Sequence, residues 1–396
     1  MKLQVNPREW QTTALSLWKR TNRGIIEVVT GAGKTTFALL CIHDFFHANP
    51  DGRVLILVPT LVLTDQWYVA LLEDLGCAPA DIAIYSGDGK PSTPHPINIV
   101  VLNTARDYAK KITEGAPTFL VVDECHRSAT PMNAKALLGE HTATLGLSAT
   151  PDRDYDEGLS TYLLPVLGPI IYRYTYEDAY RDGIITPFVL INVRVDLLPH
   201  EAKEFAKLTK QVTVAFRSYQ KTGDDTGLKR FLQKRSSVAG SAAMRVPVAA
   251  ALVEQHRGDR TIVFHEKIIS AERIAEILRA RGHSVTLYHS RIAGNVRRDN
   301  LRLFRRGVYD VLVSCRALDE GMNVPETSVA VIASSSASER QRIQRLGRVL
   351  RPARGKDKAS IYTVYATPQE RGRLLEEAES MSQFATIAWR QSHLRR

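Results

Sequence analysis

An α/β fold made of two parallel-sheet units in tandem is predicted by three features of the sequence. Short continuous apolar runs recur along its 396 residues, stretches with helical spacing of apolar side chains lie between them, and a polar middle region divides the runs into two series. Apolar runs without polar alternation suit strands covered by helices on both faces, which is how parallel sheets are buried. The first series is 25–29 (IIEVV), 54–58 (VLILV), 97–102 (INIVVL), 118–122 (TFLVV) and 144–147 (TLGL). The second is 261–264 (TIVF), 285–288 (VTLY), 310–313 (DVLV), 328–332 (SVAVI) and 360–365 (SIYTVY). Amphipathic stretches such as 271–281 (AERIAEILRAR) and 295–306 supply the covering helices.

The middle region has its own pattern. Residues 172–197 hold a charged stretch and a strand at 188–195 (FVLINVRV). Residues 200–235 are polar and helical, interrupted by a loop at 222–227 (TGDDTG), and a Ser/Ala/Gly-rich patch follows at 236–243. The predicted organisation is a first unit over 1–170, a linking strand and helical element over 171–255, and a second unit over 256–396.

Composition narrows the function class. Apolar residues at 44% and charged residues at 24% are those of an ordinary globular chain, which excludes a disordered chain, a collagen and a disulfide-rich miniprotein. No stretch approaches the ~18 apolar residues of a membrane helix. The first ten residues lack the apolar core of a signal peptide, so no membrane association and a cytoplasmic location are expected. The four cysteines (Cys41, Cys77, Cys125, Cys315) are scattered without metal-ligand spacing and read as free thiols. The net charge of +11 resides in the last third, where 25 basic residues, 22 of them arginine, face 14 acidic ones. The arginine fork suits phosphate, so a polyanionic partner is plausible alongside a merely solubilising surface.

Residues 30–36 read Thr-Gly-Ala-Gly-Lys-Thr-Thr, directly after the strand at 25–29 and before a helical run. That context makes a phosphate loop: Thr30, Gly31, Ala32, Gly33 and the helix start through Thr36 offer backbone N–H groups to phosphate oxygens. Lys34 would reach the β- and γ-phosphates and the Thr35 hydroxyl would bind Mg²⁺. The general pattern has glycine where this chain has Val28. Asp123-Glu124-Cys125-His126 follows the strand at 118–122. Two carboxylates at the end of a buried strand cost desolvation that a metal or polar network must offset. Asp123 can hold Mg²⁺ while Glu124 polarises a water for attack on the γ-phosphate, and His126 could relay to elsewhere. Near the amino terminus Arg8 and Gln11 flank Trp10; the Gln amide can read an adenine edge and the indole can stack on it, or Trp10 can simply pack inward. Residues 344–351 (QRLGRVLR) carry Gln344, Arg345, Arg348 and Arg351 at helical spacing. They are either a solvated face or an arginine finger, in which Arg348 and Arg351 stabilise γ-phosphate charge, an effect of about 10³–10⁵ in rate.

Taken in order, these segments resemble the superfamily 2 helicases of the DExH type. Within them they look most like the branch of XPB-type DNA-repair helicases, phage recombination helicases and the motor subunits of type I and type III restriction enzymes. The resemblance covers nearly the whole chain and implies two RecA-like domains with an ATP cleft between them and nucleic acid across both. It places the Gln motif on Arg8 and Gln11, motif I on Gly31 to Thr35 and motif II on Asp123 to His126. Nucleic-acid-backbone contacts fall on Pro59, Thr60 and Gln66 of 59–67 (PTLVLTDQW) and on Asn103 and Thr104. Coupling falls on Ser148 and Thr150, interface residues Asp319, Glu320 and Gly321 on 317–325 (ALDEGMNVP), and motif VI on Gln344 to Arg351.

The implied activity is an ATP- and Mg²⁺-dependent DNA helicase or translocase that moves along or remodels DNA, in the cytoplasm or, if phage-encoded, the host cytoplasm. DNA is preferred over RNA on the spellings DECH and QRLGR, and a monomer in isolation that can work with a partner subunit is expected. The Gln motif begins within ten residues of Met1, so neither an N-terminal damage-recognition domain nor a nuclease domain is expected. An RNA helicase, or an ATP-gated clamp or annealing module, would carry the same residues.

Overall fold

The computed structural model describes residues 3–29, 31–87, 89–149, 151, 157–184, 188–315, 327–334, 359–381 and 385–392. The chain divides into two compact units, the first ending near residue 185.

In the first unit, β1 (Ile25–Val28), β2 (Arg53–Val58), β3 (Ile82–Tyr85), β4 (Ile97–Val101), β5 (Thr118–Asp123), β6 (Ala143–Ser148) and β7 (Ile170–Tyr174) form one sheet in the order β3-β4-β2-β5-β6-β1-β7. Every pairing is parallel. The helices are α1 (Glu9–Trp18), α2 (Lys34–Ala48), α3 (Leu61–Glu73), α4 (Leu102–Thr113) and the short α5 (Leu164–Leu167) and α6 (Tyr176–Arg181). Successive side chains of a strand point to opposite faces, and β2 shows both faces buried. Val54, Ile56 and Val58 join the core with Trp10, Phe37 and Trp67, while Leu55 and Leu57 join Ala105, Ala109 and Ile112 on the other side.

In the second unit, β8 (Phe188–Arg194), β9 (Thr261–Phe264), β10 (Val285–Tyr288), β11 (Val311–Ser314), β12 (Val329–Ile332), β13 (Ala359–Tyr365) and β14 (Ala385–Gln391) form a second parallel sheet in the order β10-β11-β9-β12-β13-β8-β14. This is the order of the first sheet shifted by seven, so the two units share one topology. The helices described here are α7 (Pro199–Thr222), α8 (Thr226–Gly240), α9 (Arg245–Glu254), α10 (Ile268–Ala280), α11 (Gly294–Arg305) and α12 (Pro368–Met381).

The shared topology aligns β1 with β8 and α2 with α9. The pair α7–α8 is therefore a helical hairpin inserted after β8, turned at Gly223 in the left-handed region with φ 72°. Its residues carry nine basic and four acidic side chains, and Leu208 is the one fully buried residue of α7. The alignment also matches Lys34, first residue of α2, with Arg245, first residue of α9. Arg245 has no exposed surface. Its guanidinium donates to the carbonyls of Ala239, Ala333 and Val364 and to Glu370 Oε1 at 2.5 Å. Glu370 Oε2 in turn accepts from the N–H groups of Ala366 and Thr367. Where the first unit starts its helix with a phosphate-loop lysine, the second has a cation already matched by a carboxylate.

Three findings refine the organisation expected from sequence. Residues 171–255 do not stand apart as a link: β7 completes the first sheet, while β8, α9 and the hairpin belong to the second unit. The Ser/Ala/Gly-rich patch is helical through Gly240, because Ala239 and Gly240 are buried and a Cβ on Gly240 would lie 3.1 Å from Ser334 Oγ. The strands β3, β7 and β14, absent from the expected series, all lie at sheet edges. Among the described residues no single helix is long and apolar enough to cross a membrane, and all four cysteines are free and buried.

Candidate nucleotide and nucleic-acid site

The phosphate loop leaves β1 at its carboxyl end. Gly31 and Gly33 have φ of 84° and 103°, a region costly for any residue with a Cβ, and α2 starts at Lys34. The first-turn N–H groups of a helix start, with the helix dipole, favour an anion. Val28, at the position where the general pattern has glycine, is the buried last residue of β1, and its carbonyl accepts a 3.0 Å hydrogen bond from Lys34 Nζ.

The amino-terminal residues hold this loop from behind. Arg8 Nη1 and Trp10 Nε1 donate to the Ala32 carbonyl at 2.8 and 3.2 Å, and Gln11 Nε2 donates to the Gly33 carbonyl at 2.9 Å. Gln11 Oε1 accepts from the Arg8 N–H, and Gln11 is 1% exposed. Both ends of the Gln11 amide are thus engaged inside the protein rather than presented to a base. Trp10 packs inward among Phe37, Tyr172 and Tyr174, which settles the choice left open for that residue. Thr35 and Thr36 are partly buried in the first turn of α2.

Motif II lies at the carboxyl end of β5, two strands from β1 with β6 between. Asp123 is buried; Oδ1 accepts from the Glu124 N–H at 3.0 Å and Oδ2 accepts from Trp67 Nε1 at 2.9 Å. Burial, then repulsion from Glu124, push the Asp123 carboxyl well above the usual carboxylate range, with the Trp67 N–H and Lys34 opposing. A buried carboxylate so disfavoured as an anion is suited to a cation beside it. Glu124 has φ 48° and ψ 50°, the left-handed region that non-glycine residues enter at a cost of about 1–3 kcal/mol.

The third side chain of the motif, His126, has its Nδ1 3.0 Å from Ser148 Oγ and 3.5 Å from Glu124 Oε2. The structure therefore brings together Glu124, His126 and Ser148, predicted separately as base, relay and coupling residue.

The expected nucleic-acid contacts lie at the same carboxyl end of the first sheet. Thr60 caps α3 through its hydroxyl and follows β2, with Pro59 and Gln66 partly exposed. Asn103 and Thr104 open α4 after β4, and Asn103 Oδ1 accepts from Arg106. Since β2 and β4 are neighbours, two helix starts face the same end of the sheet, as phosphate contacts require. Thr30, Thr150, Asp319, Gly321, Gln344, Arg348 and Arg351 lie outside the described residues.

The residues fit ATP with Mg²⁺: a cradle of positive-φ glycines, a lysine and a buried carboxylate lie at the carboxyl end of the first sheet. Among the described residues no group of three or more His, Cys, Asp or Glu could hold a metal. Mg²⁺ characteristically takes few protein ligands and completes its shell with phosphate and water.

Comparison with known proteins decides the family. Residues 4–153 match the family described as type III restriction enzyme, res subunit, and residues 245–353 match the helicase conserved C-terminal domain. The chain is a superfamily 2 helicase. This helicase is 27% identical over 381 residues to the DNA 3'-5' translocase XPB2 of Sulfurisphaera tokodaii, covering 91% of this chain and 81% of that protein. It is 28% identical over 357 residues to a protein of Halobacterium salinarum named putative DNA 3'-5' helicase Rad25, covering 88% of this chain and 53% of that protein. Its fold is that of S. cerevisiae Dbp5, solved bound to RNA and ADP BeF3, with TM-score 0.63 at 16% identity over 97% of this chain and 90% of that one. ATP use is a property of this helicase family.

Sequence reasoning missed one residue of the site and one bond made by a residue it had named. Trp67 stands within the 59–67 segment, but nothing in its spacing links it to Asp123, 56 residues on. The Trp10 bond to Ala32 was equally invisible, since an amphipathic first helix buries its tryptophan with or without such a bond.

Proposed function

We propose that this helicase hydrolyses ATP to translocate along duplex DNA and remodel it. The observation that carries the reading is the Glu124–His126–Ser148 contact: a hydrolytic carboxylate wired to the end of a neighbouring strand has no use in nucleotide binding alone. Chemically, the N–H groups of residues 31–36 bind the phosphates and Lys34 neutralises charge on the β–γ bridge. Thr35 and Asp123 are the residues that would hold Mg²⁺, which supplies further charge neutralisation when bound. Glu124 orients water and takes its proton. His126, paired with Ser148, reports the state of Glu124 to the carboxyl end of β6. The resemblance assigns the finger role to Arg348 and Arg351 and nucleotide contacts to Asp319, Gly321 and Gln344, all of which lie outside the described residues.

The choice of DNA rests on the relatives, two of which are named for action on DNA; the likeness to an RNA-bound protein supports the fold alone. Backbone contacts at the starts of α3 and α4 imply little sequence preference and strong salt sensitivity. The test is steady-state ATP hydrolysis with no polymer, single-stranded DNA, duplex DNA and RNA at two salt concentrations. Stimulation by duplex DNA that weakens with salt is expected; stimulation by RNA alone would reassign the track.

A further inference from the structure

The indole of Trp67 joins two sites that the proposed function keeps separate. Trp67 is 1% exposed, and its N–H donates at 2.9 Å to Oδ2 of Asp123, the carboxylate assigned to Mg²⁺. The other oxygen, Oδ1, takes a backbone N–H. The two donors fix the carboxylate's rotation while leaving each oxygen a lone pair for a cation. Trp67 sits on α3, whose capped start at Thr60 and whose Gln66 are the residues assigned to the nucleic-acid backbone. Adjacent residues on a helix point about 100° apart, so Gln66 stays partly exposed while Trp67 enters the core packed with Val58, Leu63 and Leu71. One 13-residue helix thus carries Gln66, assigned to the polymer, and the hydrogen-bond donor to Asp123, assigned to Mg²⁺.

We propose that Trp67 is a positioning residue through which nucleic acid bound at α3 sets the Mg²⁺–nucleotide affinity. The inference rests on the proposed function. Its physical basis is that hydrogen-bond partners of metal-ligating groups tune affinity by about 10- to 100-fold, and that a displacement of α3 acts directly on the bond to Oδ2. The bond has a second consequence: reciprocity requires that Mg²⁺–nucleotide binding change polymer affinity by the same factor.

The experiment is a Mg²⁺ titration of mant-ADP binding, read by anisotropy, with and without a duplex oligonucleotide. It compares the wild type, Trp67→Phe, and a protein carrying benzothienylalanine at 67, which keeps the ring volume and removes the N–H. In the wild type the duplex is expected to shift the Mg²⁺ midpoint at least fivefold. Both substituted proteins are expected to need about tenfold more Mg²⁺ without DNA, to shift less than twofold when DNA is added, and to bind the duplex normally without nucleotide. Wild-type midpoints in the benzothienylalanine protein, or a full DNA-induced shift in it, would overturn the proposal even if Trp67→Phe folds poorly. A wild-type midpoint indifferent to DNA would overturn the coupling. If wild-type hydrolysis also ignored every polymer, the proposed function would fall with it, whereas polymer-stimulated hydrolysis would leave that reading standing.

Discussion

Replacing Gly33 by alanine should damage the nucleotide site through two separable effects. At φ 103° and ψ 37° the backbone lies outside the regions an L-residue occupies comfortably, a strain of about 1–3 kcal/mol. The new Cβ would also stand 2.7 Å from Gln11 Nε2. Gln11 is buried and bonded at both ends, so moving it loses a hydrogen bond of about 1 kcal/mol. The total is about 2–4 kcal/mol, which the protein can meet in two ways. If the loop keeps its shape, the cost appears as lost stability; if it relaxes, its N–H groups leave the cradle and ADP affinity falls by up to roughly 30- to 1,000-fold. ADP binding and urea unfolding should therefore be measured together on Gly33→Ala, Gln11→Ala and the double variant. The double variant should be milder than the sum of the singles by about 1 kcal/mol, since removing Gln11 removes the clash and leaves the strain. A Gly33→Ala protein that binds ADP within threefold of wild type and unfolds at the wild-type midpoint would refute this account of the loop.

Other outcomes follow from the same geometry. Ser148→Ala should leave basal hydrolysis within about threefold but cut DNA stimulation by about tenfold, a coupling of ordinary size, measured by ATPase assay with and without duplex. Arg245→Ala strands the buried Glu370 carboxylate and should cost about 3–5 kcal/mol, on the order of 10 °C in the Tm of a unit this size. Arg245→Met combined with Glu370→Leu should restore much of it, as calorimetry would show. Burial, with Arg245 and Lys267 nearby, lowers His265 to about 3, against about 6.5 unfolded. Between those values the unfolded chain binds the proton and the folded one does not, so stability falls as pH falls. The loss should reach about 2 kcal/mol by pH 5. His265→Asn, which can still accept the Lys267 N–H, should flatten the urea-midpoint profile between pH 7 and 5.

How much of this was legible in the sequence depended on whether the signal was local. Interior strands such as β2 and β5 are buried on both faces and announce themselves as unbroken apolar runs. The edge strands β3, β7 and β14 are covered on fewer sides, tolerate residues such as Arg173 and Arg390, and blend into their surroundings. The phosphate loop was legible because glycines, lysine and flanking elements are contiguous, and their geometry is set within a dozen residues. The Trp67–Asp123 and Arg245–Glu370 pairs were not. Each joins residues tens to more than a hundred positions apart through side chains whose types are common in any core or on any helix. The equivalence of Arg245 and Lys34 emerged only once the two sheets showed one strand order, since the 42-residue hairpin at 199–240 hides it in the sequence.

The central claim is that ATP hydrolysis at Glu124 drives movement along duplex DNA, and the most direct measurement is displacement of a third strand from a triplex. Wild-type protein with ATP and Mg²⁺ should release the labelled third strand, while Glu124→Gln should bind ATP and DNA and release none. Release by Glu124→Gln at the wild-type rate, or none by a wild-type protein whose hydrolysis duplex DNA stimulates, would contradict the account.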